Sequence, residues 1–175
     1  MEALLGLDKS IFLFINKGLS SSYLDGIMKF LSLPYLYLAV ILYLLIRLFM
    51  LDRRKAYILL IAVILTFVVD DITSSYIWKA YASRPRPAYT FSLNPRLPTG
   101  SGGWYGFPSN HAANITSCFV FLSLAGLIRL YIAAIFPILT GISRIYLGKH
   151  YPLDVFAGIL WGLLVAILML SLIHI

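Results

Sequence analysis

Five apolar runs, each close to the length of a bilayer crossing, constrain this chain more than any other feature. Residues 24–51, 57–78, 109–128, 130–146 and 152–173 carry few charges, and a spanning helix needs about 20 mostly apolar residues. Composition agrees: 61% of the 175 residues are hydrophobic and 12% are charged, against about 25% charged in a soluble domain. A soluble domain of this length cannot bury so much apolar surface in a single core. The pattern predicts an all-α integral membrane helix bundle of about five transmembrane helices, one domain over residues 1–175.

Residues 4–19 place Leu4, Leu7, Ile11, Phe12, Ile15 and Leu19 at helical spacing opposite Asp8, Lys9, Asn16 and Lys17. That spacing predicts an N-terminal amphipathic helix, within residues 1–22, lying in the membrane interface. The first residues lack the basic stretch and small-residue cleavage site of a signal peptide, so they are expected to stay in the mature chain. Pro34 is expected to kink the first span, and the run DRRKA at 52–56 to end it. The prolines and glycines of 79–108 forbid a continuous helix there. Alternation then puts 52–56 and 129–130 at one membrane face and 79–108 and 147–152 at the other. Arg53, Arg54, Lys55 and Arg129 mark the first face as cytoplasmic under the positive-inside rule. The segment 79–108 becomes an extracytoplasmic active-site loop.

The net charge of +7 does not point to nucleic acid, because the basic residues form no helical face or tail interleaved with aromatic platforms. They sit in short loops, which suits anionic lipid or phosphate. Three polar clusters, 79–87, 108–111 and 143–154, are expected at one face. After Asp71 the only acidic residue is Asp154, and all three histidines also lie in that stretch. A pocket built from Lys79, Arg84 or Arg86, His111, Arg144, Lys149, His150 and Asp154 is strongly cationic. It attracts an anion.

Each cluster has its own chemistry. Pro108 and Ser109 suit a helix start, whose free N–H groups and dipole favour an anion. His111 in the first turn can then donate a proton to a leaving oxygen. Pro152 is expected to open the last helix, with His150 just before it and Asp154 in its first turn. Asp154 can hold one nitrogen of His150 and leave the other as nucleophile or base, the orienting logic of a triad without a serine. Arginine's planar fork matches two phosphate oxygens at once.

These residues carry a family resemblance. Lys79 followed by Arg86 and Pro87 resembles the K-x6-R-P motif of the type 2 phosphatidic acid phosphatase family. PSNH at 108–111 resembles its P-S-G-H motif, and SRIYLGKHYPLD at 143–154 matches its S-R-x5-H-x3-D motif at every fixed position. Motifs and helices together span about residues 55–175. The resemblance implies that His150 attacks phosphorus to form a phospho-histidine, that Asp154 orients it, and that His111 protonates the leaving group and then activates water. It further implies that Lys79, Arg86, Ser109, Asn110 (through its backbone N–H) and Arg144 hold the phosphate, with no metal and no cofactor. Asn110 stands where glycine is commonest in that motif. Asparagine tolerates unusual backbone angles, so the fold stands, while substrate preference can differ.

Plainer roles compete for several residues. Arg84, Arg96 and Lys149 are expected to be interfacial anchors. Asp70 and Asp71 are expected to be structural and paired with loop arginines, and Cys118 to be packing. Tyr89, Phe91, Trp104 and Tyr105 suit an interfacial aromatic belt, and His174 has no assigned role. His111, His150 and Asp154 could instead be three metal ligands, a set the surrounding cations disfavour. The leading expectation is a metal-independent lipid phosphatase in a bacterial inner membrane, its site facing the periplasm or cell exterior. Its partners are the bilayer and a phosphorylated lipid, with no nucleic acid. Lipid A 1-phosphate and undecaprenyl diphosphate lead, ahead of phosphatidylglycerol phosphate and phosphatidate. A lipid phosphotransferase and a non-catalytic anion-binding protein are the other classes, although the paired, interrupted helices of transporters are missing.

Overall fold

A computed structural model describes residues 2–173, apart from the side chains of Phe91 and Ile173. His174 and its role lie outside the described residues. The chain forms α1 (Glu2–Leu13), α2 (Ser22–Leu31), α3 (Pro34–Leu51), α4 (Arg53–Ala82), α5 (Asn110–Leu124), α6 (Leu130–Tyr146) and α7 (Pro152–Ile173). A π turn, Phe14–Gly18, extends α1, and another, Thr73–Trp78, interrupts the winding of α4. The only extended pairing among the described residues is one bridge between Pro85 and Tyr105.

Three of these helices, α3, α4 and α7, are long and apolar enough to cross a membrane, and α6 is an apolar helix of 17 residues. At 15 residues, α5 extends about 22 Å, short of a hydrocarbon core of about 30 Å. It is the central post of the bundle, packed against α4, α6 and α7. Its consecutive residues Cys118, Phe119, Val120, Phe121 and Leu122 are all buried, as expected of a helix apolar on every side. Leucines, isoleucines and phenylalanines on the outer faces of α3, α4, α6 and α7 stay exposed and form the lipid-facing belt.

Small residues bring α5 and α7 together. A Cβ at Gly158 would collide with the Ser109 carbonyl, and one at Gly162 with the Ala113 carbonyl and Thr116. Spaced four apart, these glycines form the small-residue seam that lets membrane helices approach closely. The sequence carried this signal in plain view.

Three boundaries differ from expectation. Helix α4 runs on to Ala82 rather than stopping at Trp78, so Lys79, expected in the 79–108 loop, sits in its last turn. Pro34 does not kink a single span: α2 stops at Leu31, and Pro34 opens α3 at its first turn, where its missing N–H costs nothing. The third apolar run ends as a helix at Leu124 rather than Ile128, because Gly126 turns the chain with φ of +83°. Chain order then gathers α1, α2, the 83–109 loop and the 147–151 turn at one end of the bundle. Arg47, Lys55, Gly126 and Leu127 line a hollow at the other. The shared face expected for the three polar clusters is what the structure has.

The seam gives a first test. Gly162→Ala is expected to lower stability in detergent by about 1–3 kcal/mol through overpacking. Gly6→Ala in α1, where a Cβ meets nothing within 4 Å, is expected to lower it not at all. Thermal unfolding of the two variants checks this.

Candidate functional site

The 147–151 turn exists because α6 must stop and α7 must start within five residues. Gly148 ends α6 in the left-handed region, φ +73°, and its amide donates to the Ile145 carbonyl at 3.0 Å. A side chain there would also strike the Arg96 carbonyl. Pro152 opens α7 as expected, leaving His150 just before it and Asp154 in its first turn.

His150 is buried, 1% exposed, and its Nδ1 lies 2.8 Å from the Gly106 carbonyl. That carbonyl, not Asp154, orients the ring: the nearer Asp154 oxygen is 3.7 Å from Nδ1, beyond hydrogen-bond reach. A carbonyl only accepts, so Nδ1 carries the hydrogen and Nε2 keeps its lone pair. Gly106 can approach so closely because it lacks a side chain; a Cβ would sit 3.0 Å from Asp154 Oδ2 and 3.1 Å from Arg86 Cγ. Asp154 receives the Tyr151 N–H at 2.9 Å and an Arg84 N–H at 2.7 Å.

Cations surround this imidazole. Arg86, Arg144 and Lys79 all act on it electrostatically, and the charges of Arg144, His150, Arg86 and Lys79 reach the His111 ring. The three clusters therefore converge on one cationic pocket. Arg86 is braced by its Nε donating to the Tyr105 carbonyl at 3.0 Å. Arg144, 8% exposed, donates one N–H to Ser32 Oγ at 2.6 Å, while its buried Nε meets no protein acceptor. Burial, then the like charges of Arg144 and Arg86, holds the Lys149 ammonium below its ordinary range. Ser109 Oγ is likewise buried without a protein partner and does not cap α5.

Residues expected to be bystanders hold this arrangement in place. Arg84, expected as an anchor, bridges Asp154 and Asp8, and its guanidinium lies 4.4 Å from the centre of the Tyr151 ring. Arg96 pairs with Asp25 at 2.9 Å. Lys149 donates to the Thr99 and Gly100 carbonyls at 2.9 and 2.6 Å. None of the three snorkels. Helix α1 and its π turn split their polar stripe: Asp8 and Asn16 are buried with Phe12, while Lys9 and Lys17 stay exposed beside Leu4, Leu7 and Ile11. Asn16 joins the Arg96 amide and carbonyl to the Tyr146 carbonyl, tying the long loop to α6. Tyr89 stacks on Trp104 at 4.3 Å, so these two aromatics brace the loop.

Another expectation fails. Asp70 and Asp71 pair with no arginine: Asp71 accepts from Asn114 Nδ2 at 2.9 Å, and Asp70 is fully buried with neither oxygen hydrogen-bonded. Asn110 is an ordinary first-turn helical residue, so its tolerance of unusual angles is not called on. Its side chain instead donates to Ser75 of the π turn in α4. His111, His150 and Asp154 do not form a metal-ligand set among the described residues.

The PAP2 superfamily profile matches residues 55–174. The chain belongs to the PAP2 superfamily. Its relatives there include lipid phosphatases of membranes. A lipid A 4'-phosphatase of Porphyromonas gingivalis is 30% identical over 94% of this chain and 72% of its own. An undecaprenyl-diphosphatase of Sulfolobus acidocaldarius is 32% identical over 92% and 76%. The crystal structure of Aquifex aeolicus LpxE aligns with a TM-score of 0.65 at 29% identity, covering 93% of each chain. The PAP2 match leaves out residues 1–54, yet Ser32 there accepts from Arg144, and Asp8 and Asn16 reach the site through Arg84 and the long loop. Asp8 read from the sequence as part of the polar face of an amphipathic helix, so no local signal marked it. None marks a backbone carbonyl such as that of Gly106.

Burial, reinforced by Arg86, Arg144 and Lys79, holds the folded His150 imidazole well below its ordinary 6.5. The unfolded chain takes up that proton as the pH falls past 6.5 and the folded chain does not. This group is therefore neutral toward stability above 6.5 and disfavours folding increasingly below it. Thermal unfolding between about pH 8 and pH 5 is expected to show the loss, and His150→Gln to lessen it.

Proposed function

We propose that this membrane phosphatase removes the terminal phosphate from an envelope lipid, lipid A phosphate or undecaprenyl diphosphate, through a phospho-histidine intermediate. The observation that carries the reading is the buried His150, its Nδ1 engaged by the Gly106 carbonyl and its Nε2 left free among Arg86, Arg144 and Lys79. A neutral imidazole with a free lone pair is a nucleophile, and three cations beside it suit a phosphate.

In the first step Nε2 attacks phosphorus, the bond from phosphorus to the lipid oxygen breaks, and His111 gives that oxygen its proton. The dianionic phosphate supports the protonated form of His111 amid the cations. In the second step His111 takes a proton from water, the water oxygen attacks phosphorus, and the phosphorus–nitrogen bond breaks. Inorganic phosphate leaves and His150 is restored. Lys79, Arg86, the Asn110 backbone N–H, Arg144 through its unpaired Nε, and Ser109 through its unpaired hydroxyl would neutralise and orient the phosphoryl oxygens. Asp154 supports the positive charge on the phosphorylated imidazole from behind, across 3.7 Å.

The lipid class follows from the position of the site at one end of an apolar bundle, where headgroups lie. Names of relatives support lipid A 4'-phosphate beside the 1-phosphate, and undecaprenyl diphosphate. Purified protein is expected to release phosphate from one of these in preference to phosphatidylglycerol phosphate and phosphatidate, in the presence of chelator, and to be blocked by vanadate. His150→Ala is expected to lose on the order of a thousandfold or more in kcat. Full activity in that variant would refute the mechanism. Labelled phosphate recovered on a second lipid, rather than free, would make the protein a transferase.

Arg53, Arg54, Lys55 and Arg129 lie at the end opposite the site, so the positive-inside rule supports a site facing away from the cytoplasm of a bacterial inner membrane. Ser92→Cys in the long loop is expected to react with a membrane-impermeant maleimide added to intact spheroplasts. Arg54→Cys is expected to react only after lysis. The native Cys118 is buried and stays silent in both.

A further inference from the structure

Two buried carboxylates share one guanidinium behind the imidazole. Asp8, 2% exposed, accepts an Arg84 N–H at 2.5 Å with one oxygen and the Leu153 N–H at 2.8 Å with the other. The second arm of Arg84 donates to Asp154 at 2.7 Å. The fork is stacked over Tyr151, whose ring packs on Phe12 of α1 at 5.3 Å. Asp8 therefore fixes two things at once, the first turn of α7 that carries Asp154 and the arginine that holds the Asp154 carboxylate.

We propose that Asp8 is a positioning residue for catalysis, acting through Arg84 to hold Asp154 behind His150, so that α1 completes the active site. This rests on the phospho-histidine reading above. Asp8 lies outside the matched span of residues 55–174, so the superfamily comparison assigns it nothing. The physical argument is charge balance. When Nε2 bonds to phosphorus the ring becomes cationic, and the cations that attract the phosphate oppose that charge. Two carboxylates around one guanidinium leave a net negative charge on the opposite side of the ring, where it stabilises the cation. If Asp8 is lost, one arm of Arg84 has no partner. The fork, 20% exposed on its side chain, is then free to leave Asp154 for solvent or for the phosphate pocket. Bidentate pairing is what prevents this.

The test is steady-state kinetics on the full-length protein in detergent with the lipid it turns over. Asp8→Asn is expected to lower kcat about tenfold with KM within about twofold, the scale of one charged hydrogen bond. Asp8→Glu, which keeps the charge, is expected to fall between it and wild type. In an Arg84→Gln background, Asp8→Asn is expected to add no further loss, since its effect passes through Arg84. Lys17→Ala, which releases α1's contact with the Leu93 carbonyl, is expected to lower Tm without changing kcat. Should Asp8→Asn not fold, Arg84→Lys gives the same reading: it keeps the charge, loses the second arm, and is expected to lower kcat comparably. Wild-type kcat in Asp8→Asn, or in Arg84→Lys where the first does not fold, overturns this inference and leaves the phosphatase reading standing. No phosphate release by the wild-type chain from any of the four lipids overturns that reading and this inference with it.

Discussion

The imidazole of His150 sits buried within the field of three cations, and much of the structure serves to make that tolerable. Like charges in a dry setting repel strongly, so every basic side chain near the site needs a partner or an anion to bind. Arg84 takes two carboxylates, Arg96 takes Asp25, and Lys149 takes two carbonyls of the long loop. Arg144 and Arg86 are braced by Ser32 and the Tyr105 carbonyl, neutral partners that aim a guanidinium without cancelling its charge. The division is between cations neutralised for structure and cations kept charged for a ligand.

The same requirement explains the N-terminal third. In an interfacial anchor the polar stripe would face water. Here Asp8 and Asn16 face the protein, while Leu4, Leu5 and Leu7 face outward beside Lys9 and Lys17. Helix α2 does comparable work from the other side: the Met28 carbonyl accepts the Ser143 hydroxyl, and Ser32 accepts from Arg144. Both segments lie outside the PAP2 match, yet they clamp the long loop and the last turn of α6. Such a loop, rich in proline and glycine, has little regular hydrogen bonding of its own and depends on partners of this kind.

Particular residues show how far the sequence could be read. Pro152, His150 and Asp154 fell where spacing placed them, because proline and the start of an apolar run fix a helix boundary locally. The spans of α6 and α7 were legible for the same reason. Arg84 and Asp8 were not, because their pairing joins positions 76 residues apart and no local rule links them. The Gly106 carbonyl was invisible in principle, since every residue has one and only the fold decides which meets a histidine. Ser109 reads as a helix cap by residue type, yet its hydroxyl is turned elsewhere.

By itself the sequence determined that the chain lives in a membrane, that its helices alternate across it, and that three polar clusters lie at one face. Those follow from hydrophobicity, helix geometry and the count of crossings, all local or additive properties. Only the tertiary structure decided which cations are neutralised, what orients His150, and that α1 belongs to the site. These depend on contacts of a few ångströms between distant segments, and hydrogen bonds and ion pairs at that range are set by packing rather than by sequence spacing.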